Sequence, residues 1–479
     1  MVNSNKSGSP EASPELLAHS SLPQETPVPE VSMVEESTVT GVTFTPELWM
    51  QRRHWALDVL KKEGVRSVLD IGCGPGSLLE TLVIPPTTIR EPPIRSSKGD
   101  QSGEGQLPSP ADSDDEEDIG GSAREVFLQR LGGLDVSPSV INSALATITP
   151  PSSASNFPPA LPRWEPMSTE LWLGGIEKYN ARLEGFEAIT LLEVIEHLEP
   201  SVLNRFGVVT FGTYRPKLLL ITTPNFDFNA KFPRAEEQDF AKKGFVDPTG
   251  RTDRVFRHSD HKLEMTNAEF RDWAEAEAAN WGYDVEISGV GISSQPSYYP
   301  STDPSQSPQP IYATQTAIFR LSTGLPLRSP RSVRTAQLPF MPSSSESSHS
   351  HKLAGKFVHP VSHPGDGTRR SPREVRQAVR ECFTRWNVGE VSLDEVWGVY
   401  EVSGRCAGSK RYLVSCLGGW GDCERELEPL SPEEEGASNA EEDDKDDFQV
   451  TRVKRRGLSV RWNKFTQRSS SDGSKRVNQ

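Results

Sequence analysis

The stretch Val68-Leu69-Asp70-Ile71-Gly72-Cys73-Gly74-Pro75-Gly76-Ser77-Leu78-Leu79 decides the fold. The short apolar run from Ser67 to Ile71 reads as a buried strand, and Leu78 to Leu82 as the start of a helix. A Gly-rich turn joins the two. Glycines there supply positive φ and remove the Cβ atoms that would hold a ligand away from the backbone. A phosphate-binding loop is excluded, because no Gly-Lys-Ser/Thr follows. A dinucleotide site would place its third glycine further on, whereas here Asp70 stands just before the glycines and Pro75 occupies the turn.

That pattern resembles motif I of S-adenosylmethionine-dependent methyltransferases, in which the acidic residue faces the methionine moiety. The resemblance implies cofactor contacts at Asp70, Gly72 and Gly74. Further strands follow at Gly132 to Val136, Leu171 to Gly175, Phe186 to Leu192 and Lys217 to Thr222, with a terminal pair at 283–290 and 316–321. Strands alternating with helices in this order predict an α/β fold, a doubly wound Rossmann-like methyltransferase sheet with long disordered insertions and tails. Asp135, ending the second strand, can hydrogen-bond both ribose hydroxyls of an adenosine cofactor, or can simply cap the turn before Pro138.

A second constellation is Glu193-Val194-Ile195-Glu196-His197, joined far downstream by Asp260-His261-Lys262. On a helix, positions i, i+3 and i+4 share a face. Two carboxylates and an imidazole on that face, with a second imidazole from elsewhere, make a divalent-metal ligand set. A solvated helix face is the alternative. The fourth strand runs straight into Glu193, so the cluster falls at a strand's carboxyl end, where ligands of open α/β sheets sit.

The chain has 479 residues, enough for two or three domains, yet only 34% are hydrophobic, and it holds 39 Pro and 37 Gly. Residues 1–40 read as a disordered leader, and 85–122 as a disordered insertion in a methyltransferase domain at 43–322. Further loops fall at about 149–162 and 235–253. Residues 323–370 read as a low-complexity linker, and 371–421 as a small ordered patch with a helix over 372–386 and strands over 395–403 and 411–417. Residues 424–479 read as an acidic, then basic, disordered tail. The net charge of −15 is concentrated in two acidic runs, at 112–118 and 424–447, so it says little about the active-site surface. Five Cys without a CxxC pair argue against a zinc site or a disulfide scaffold. With no long apolar run and no signal-peptide core, the expectation is a soluble intracellular protein, cytoplasmic and/or nuclear, without membrane contact.

Lined up, these pieces resemble the small-RNA 3′-terminal 2′-O-methyltransferases, Hen-type enzymes, over roughly residues 44–321. The resemblance rests on Phe44-Thr45-Pro46-Glu47-Leu48-Trp49-Met50-Gln51-Arg52, the Gly-rich turn and the 191–198 segment. It continues through Ile221 to Asn229, Ile287 to Gly291 and Phe256-Arg257-His258-Ser259-Asp260-His261-Lys262-Leu263-Glu264-Met265-Thr266. It implies Glu193, Glu196, His197 and His261 as the metal and catalytic residues, with His258 flanking. It also implies support of the RNA 3′ end by Phe44, Pro46, Leu48, Gln51 and Arg52, with Glu47 where the family has a second proline. Gly175 stands where the family has Ser or an acid near the adenine, so its contact would come from backbone. Met265 replaces an aromatic residue. The implied cofactors are S-adenosyl-L-methionine and one divalent metal ion, Mg²⁺ or Mn²⁺. Mixed Glu/His ligation suits Mn²⁺, Co²⁺ or Fe²⁺ at least as well as Mg²⁺. A metal gripping the 2′ and 3′ oxygens together would select a free 3′ end. The expected partner is a single-stranded small RNA, held by an Argonaute-type protein, on a monomeric enzyme. The competing functions are a methyltransferase for a small vicinal diol and a non-catalytic RNA-binding module on the same fold.

Overall fold

The computed structural model describes residues 42–91, 125–151, 161–231, 244–292, 311–322, 351–363, 366–418, 447–453 and 457–466. The leader at 1–40, the acidic runs at 112–118 and 424–446, and most of the 85–122 insertion lie outside the described residues.

The Gly-rich turn does connect a strand to a helix. Helix α1 (Leu48–Glu63) leads into β1 (Ser67–Ile71), whose five residues are all buried, and α2 (Ser77–Leu82) follows the turn. Helix α1 ends where Gly64 adopts a left-handed conformation and its N–H caps the Lys61 carbonyl. Then come β2 (Arg130–Asp135), α3 (Pro138–Ile148), β3 (Met167–Leu173), β4 (Ala188–Leu192), α4 (Pro200–Gly207) and β5 (Leu218–Pro224). A short hairpin of β6 (Phe245–Val246) and β7 (Val255–Phe256) precedes α5 (Asn267–Trp281), β8 (Tyr283–Ile292) and β9 (Tyr312–Leu321). The doubly wound sheet runs β10-β3-β2-β1-β4-β5-β9-β8, where β10 is Lys352–His359. Strands β3, β2, β1, β4 and β5 are parallel, while β9 is antiparallel to β5 and β10 to β3. The strand order reverses between β1 and β4, which places a crevice at their carboxyl ends.

Both faces are covered. Ala56, Leu57 and Leu60 of α1, Leu78 and Leu79 of α2, and Ile141 and Ala144 of α3 pack on one. Phe206 of α4, and Phe270, Ala274 and Ala278 of α5, pack on the other. Close layering needs small residues in β2: a Cβ on Gly133 would stand 2.5 Å from Leu171 Cδ2.

Three sequence expectations change beyond residue 322. The stretch read as a linker contains β10, an eighth strand of the main sheet. Its alternation is broken by a bulge between Leu353 and Gly355, which hides the strand signal. The segments expected as strands at 395–403 and 411–417 are helices, at Leu393–Trp397, Tyr400–Arg405 and Lys410–Cys416. Ser392 and Glu395 form a capping box there, and Leu393, Val396 and Trp397 are buried at helical spacing. The stretch read as a charged tail contributes β12 (Phe448–Val453) and β13 (Gly457–Trp462), which join β11 (Glu390–Ser392) in a second sheet. Phe448 and Val460 complete a separate core with Val379, Phe383 and Leu413. The basic residues between them mask an alternating apolar pattern. The module docks on the main domain: Trp397 Nε1 donates to the Thr87 carbonyl at 3.0 Å, and Arg411 pairs with Glu91 at 3.3 Å. No helix among the described residues is long and apolar enough to cross a membrane.

Candidate active site

The turn after β1 and the loop after β4 meet in the crevice. Gly72 and Gly74 have φ of 70° and 53°, and a Cβ on Gly72 would lie 2.5 Å from Val194 Cγ2, so only glycine lets the two loops touch. A Cβ on Gly74 would meet no described residue within 4 Å, so among the described residues this turn is open. Asp70 is buried beneath it and accepts from Thr190 Oγ1 at 2.7 Å. Burial, opposed by that hydrogen bond and aided by the charge of Asp135, pushes the Asp70 carboxyl up to about 7. Asp135 accepts from the Gly74 N–H and the Ser137 N–H, both at 2.9 Å, and so fixes the turn against the start of α3. The capping and ribose roles are compatible, since each carboxylate oxygen can accept more than one hydrogen bond. An open glycine cradle between two acids fits a cationic nucleoside cofactor.

The helix expected through Glu193, Glu196 and His197 is absent. Glu193 sits at φ 59°, and a single 3₁₀ turn covers Ile195–His197. The carboxylates still converge, because the tight turn drives Glu196 inward. Glu196 is 1% exposed, and its Oε2 accepts from Thr223 Oγ1 at 3.1 Å. Burial, then the neighbouring Glu193 charge, raises its carboxyl well above the ordinary range. A carboxylate so placed favours a cation beside it.

His261 reaches this carboxylate because its loop docks on the turn's backbone. The Lys262 and Leu263 N–H groups both donate to the Glu196 carbonyl, at 2.6 and 3.1 Å. The loop is anchored further by Arg254, which grips Glu269 at 2.7 and 2.8 Å, while Glu269 closes the capping box of α5 with Thr266. As a result Glu196, His197 and His261 present donor atoms within 4.8 Å of one another. His197 Nε2 lies 4.0 Å from Glu196 Oε1, and the two imidazoles stand 5.0 Å apart, nearly perpendicular. One carboxylate and two imidazoles suit a borderline divalent ion. His258, Asp260 and His261 form a second, more exposed set.

Two acids missed in the sequence orient the imidazoles. Glu264 Oε1 lies 2.7 Å from His261 Nδ1, and Asp260 Oδ2 lies 3.2 Å from His197 Nδ1. Each pairing turns the ring's Nε2 free for a ligand, as carboxylate–histidine–metal arrangements do. Burial works against the Glu264 charge, but the His261 hydrogen bond and the Arg257 guanidinium hold its carboxyl below the usual value. The signal was a Glu three residues beyond a candidate ligand, which means little outside a helix.

Glu193 stands apart from the three. Its Oε2 pairs with Arg52 Nη1 at 3.1 Å and its Oε1 accepts from Thr222 at 2.9 Å. The stretch from Phe44 to Arg52 therefore borders the site. Phe44 packs on Phe228, with centroids 5.8 Å apart. Gln51 links the Pro46 carbonyl to the Gly291 N–H, which also sets Leu48 and Phe44 against Gly291. Gly175 lies past the end of β3, beside Asp135: the adjoining Gly174 N–H donates to the Asp135 carbonyl at 2.9 Å.

No family model matches the chain. Curated relatives do. A small RNA 2′-O-methyltransferase of Arabidopsis thaliana is 28% identical over 287 residues, covering 60% of this chain and 24% of that protein. Its namesake in Rattus norvegicus is 28% identical over 283 residues, covering 59% and 53%. The one in Xenopus tropicalis is 36% identical over 165 residues, covering 34% and 38%. These findings support a Hen-type methyltransferase. The chain spans about half or less of the length of these Hen-type relatives. Among solved structures, a small RNA methyltransferase crystal structure gives a TM-score of 0.42 at 24% identity, covering 67% of this chain and 29% of that one. The methyltransferase domain of a bacterial Hen-type protein gives 0.34 at 23%, covering 57% and all of that chain.

Proposed function

We propose that this chain methylates the 2′-hydroxyl of the 3′-terminal ribose of small RNAs, using S-adenosylmethionine and a divalent cation. The observation carrying this is the Glu196–His197–His261 cluster, set against an open glycine cradle through the Gly72–Val194 contact. The named relatives are small RNA 2′-O-methyltransferases, which supports the substrate class.

Asp70, Asp135 and the backbone of Gly72 and Gly74 would hold the cofactor, which supplies a methyl group already activated on sulfur. Glu196, His197 and His261 would hold the cation, with Glu193 as a fourth ligand once its Arg52 pair opens. The cation supplies charge that acidifies a ribose hydroxyl and favours a terminal 2′,3′-diol. Glu264 and Asp260 keep the imidazole rings turned toward the crevice. Positioning accounts for most of the remaining barrier, since the methyl carbon is already electrophilic. Arg52, at the border of the site, would be placed to meet the RNA backbone. The substrate strand is proposed to be single-stranded and presented by an Argonaute-type protein to a monomeric enzyme.

The test is a methyl-transfer assay on one short RNA carrying 2′,3′-diol, 2′-deoxy or 3′-phosphate ends. Only the diol should be methylated, and chelation should abolish the reaction. Equal methylation of the diol and 3′-phosphate ends would refute a terminal diol as the recognised group.

A further inference from the structure

We propose that Glu177 is the residue with which this chain recognises the adenine base of its cofactor. The inference rests on the cofactor half of the function proposed above and adds a residue to it.

Strand order sets the direction in which a nucleoside must lie. The metal-ligand cluster follows β4, the glycine cradle follows β1, and Asp135 ends β2. A ligand with its reacting end at β4 and its ribose at Asp135 therefore carries its base over the end of β3, about 5 Å further per strand. Gly174 and Gly175 occupy that end. Position 175 has no side chain to offer, and its carbonyl is already used twice. Lys178 N–H donates to it at 3.2 Å, and His351 Nε2, from just before β10, donates at 3.0 Å. The exocyclic amine of adenine needs a hydrogen-bond acceptor, and the Gly175 carbonyl is committed elsewhere.

Glu177 fills the gap. Its carboxylate folds back over Gly175, so that a Cβ there would collide with Oε2 and lie 2.7 Å from Oε1. The acid thus stands where the missing side chain of residue 175 would project. Ile176, buried between the two, fixes the return of the chain. The Glu177 carboxylate accepts no hydrogen bond from any described residue. His351 locks the loop from behind, since a Cβ on Gly174 would stand 2.9 Å from its ring Cγ. An acceptor without a donor, at the place where sheet order puts the base, matches an amine-bearing purine.

The test is calorimetric binding to the full chain, comparing S-adenosylhomocysteine with its inosine analogue, in which the 6-amino group is a carbonyl. The wild-type protein should prefer the adenine form by about tenfold or more, the scale of a hydrogen bond to a charged group. Glu177→Gln, whose amide can donate as well as accept, and Glu177→Ala should bind both forms within about twofold of each other. Asp135→Ala should weaken both forms equally and keep the preference. An unchanged preference in both Glu177 variants overturns the proposal. Because no RNA and no methyl transfer enter the measurement, failure of the RNA reading leaves this result standing. Failure of wild-type protein to bind either nucleoside overturns the cofactor reading and Glu177 with it.

Discussion

Glu264→Ala should loosen the metal site without touching any proposed ligand. The Glu264 side chain is fully buried, and its Oε1 accepts from both His261 Nδ1 at 2.7 Å and the Arg257 N–H at 2.8 Å. Loss of such an outer carboxylate typically lowers metal affinity about 10–100-fold, or about 1.4–2.8 kcal/mol. The stranded Arg257 N–H adds a separate stability cost of about 1 kcal/mol, at the low end for a lost acceptor because this donor is only part-buried. The two effects separate in the assay. Mn²⁺ binding is followed by the paramagnetic signal of the free ion, while cofactor binding by calorimetry reports whether the fold survives. Glu264→Gln keeps an acceptor for both N–H groups and should recover most of the affinity. Asp260→Ala removes the matching partner of His197, but this carboxylate is 57% exposed and solvent can replace it, so the loss should be smaller. If Glu264→Ala binds Mn²⁺ as wild type does while Glu196→Ala binds none, the orienting role is wrong.

Glu196→Ala and His261→Ala should each abolish methyl transfer yet leave cofactor affinity near wild type, because the cluster and the glycine cradle are distinct; wild-type turnover at saturating metal in both would sink the metal reading. Cofactor affinity should rise with pH through about 7, since Asp70 must ionise to meet a cationic ligand, and Asp70→Asn should flatten that profile. In the cofactor-free protein the sign reverses: the raised Asp70 pKa makes its neutral form a stabilising contribution at low pH, lost between about 4 and 7, which pH-dependent thermal melts would detect. Deleting residues 451–479 should unfold the small C-terminal module, because it strips Val460 and Trp462 from the core, and buried apolar side chains of this kind contribute about 1.5–3 kcal/mol each; unchanged resistance of the 371–418 segment to proteolysis would contradict this.

The main sheet was legible because its parallel strands are buried on both faces and read as apolar runs. The helix expected over 372–386 runs over Pro372–Trp386, so its termini were legible, as was the strand-to-helix step at the glycine turn. The ligand chemistry was visible as residue types, but its geometry was misread: five consecutive residues suggested an α-helix, while Glu193 takes a left-handed conformation that no spacing rule reveals. His261 is 64 positions beyond His197, and nothing local ties them. The tie is the Glu196 carbonyl accepting two N–H groups from the distant loop, a backbone interaction that leaves no mark on side-chain identity.

The C-terminal third resisted for a different reason. Strand β10 is an edge strand with a bulge, and β12 and β13 flank the basic sequence at 452–456, so composition pointed to linker and tail in each case. Their roles depend on partners contributed from far away: β10 on β3, and β13 on β11, with Val391 opposite Val460. This has a consequence for the cofactor end of the site. His351, just before β10, holds the Gly175 carbonyl, whereas His359 ends the strand opposite Met167, with Nε2 2.9 Å from the Ile148 carbonyl at the end of α3. Only the His351 end therefore reaches the carboxyl end of β3, where the Gly174 N–H donates to the Asp135 carbonyl. The start of a segment that composition assigns to a linker would thus border the proposed nucleoside site, and cofactor affinity should fall in His351→Ala but stay near wild type in His359→Ala, since His359 pairs at the amino end of β3.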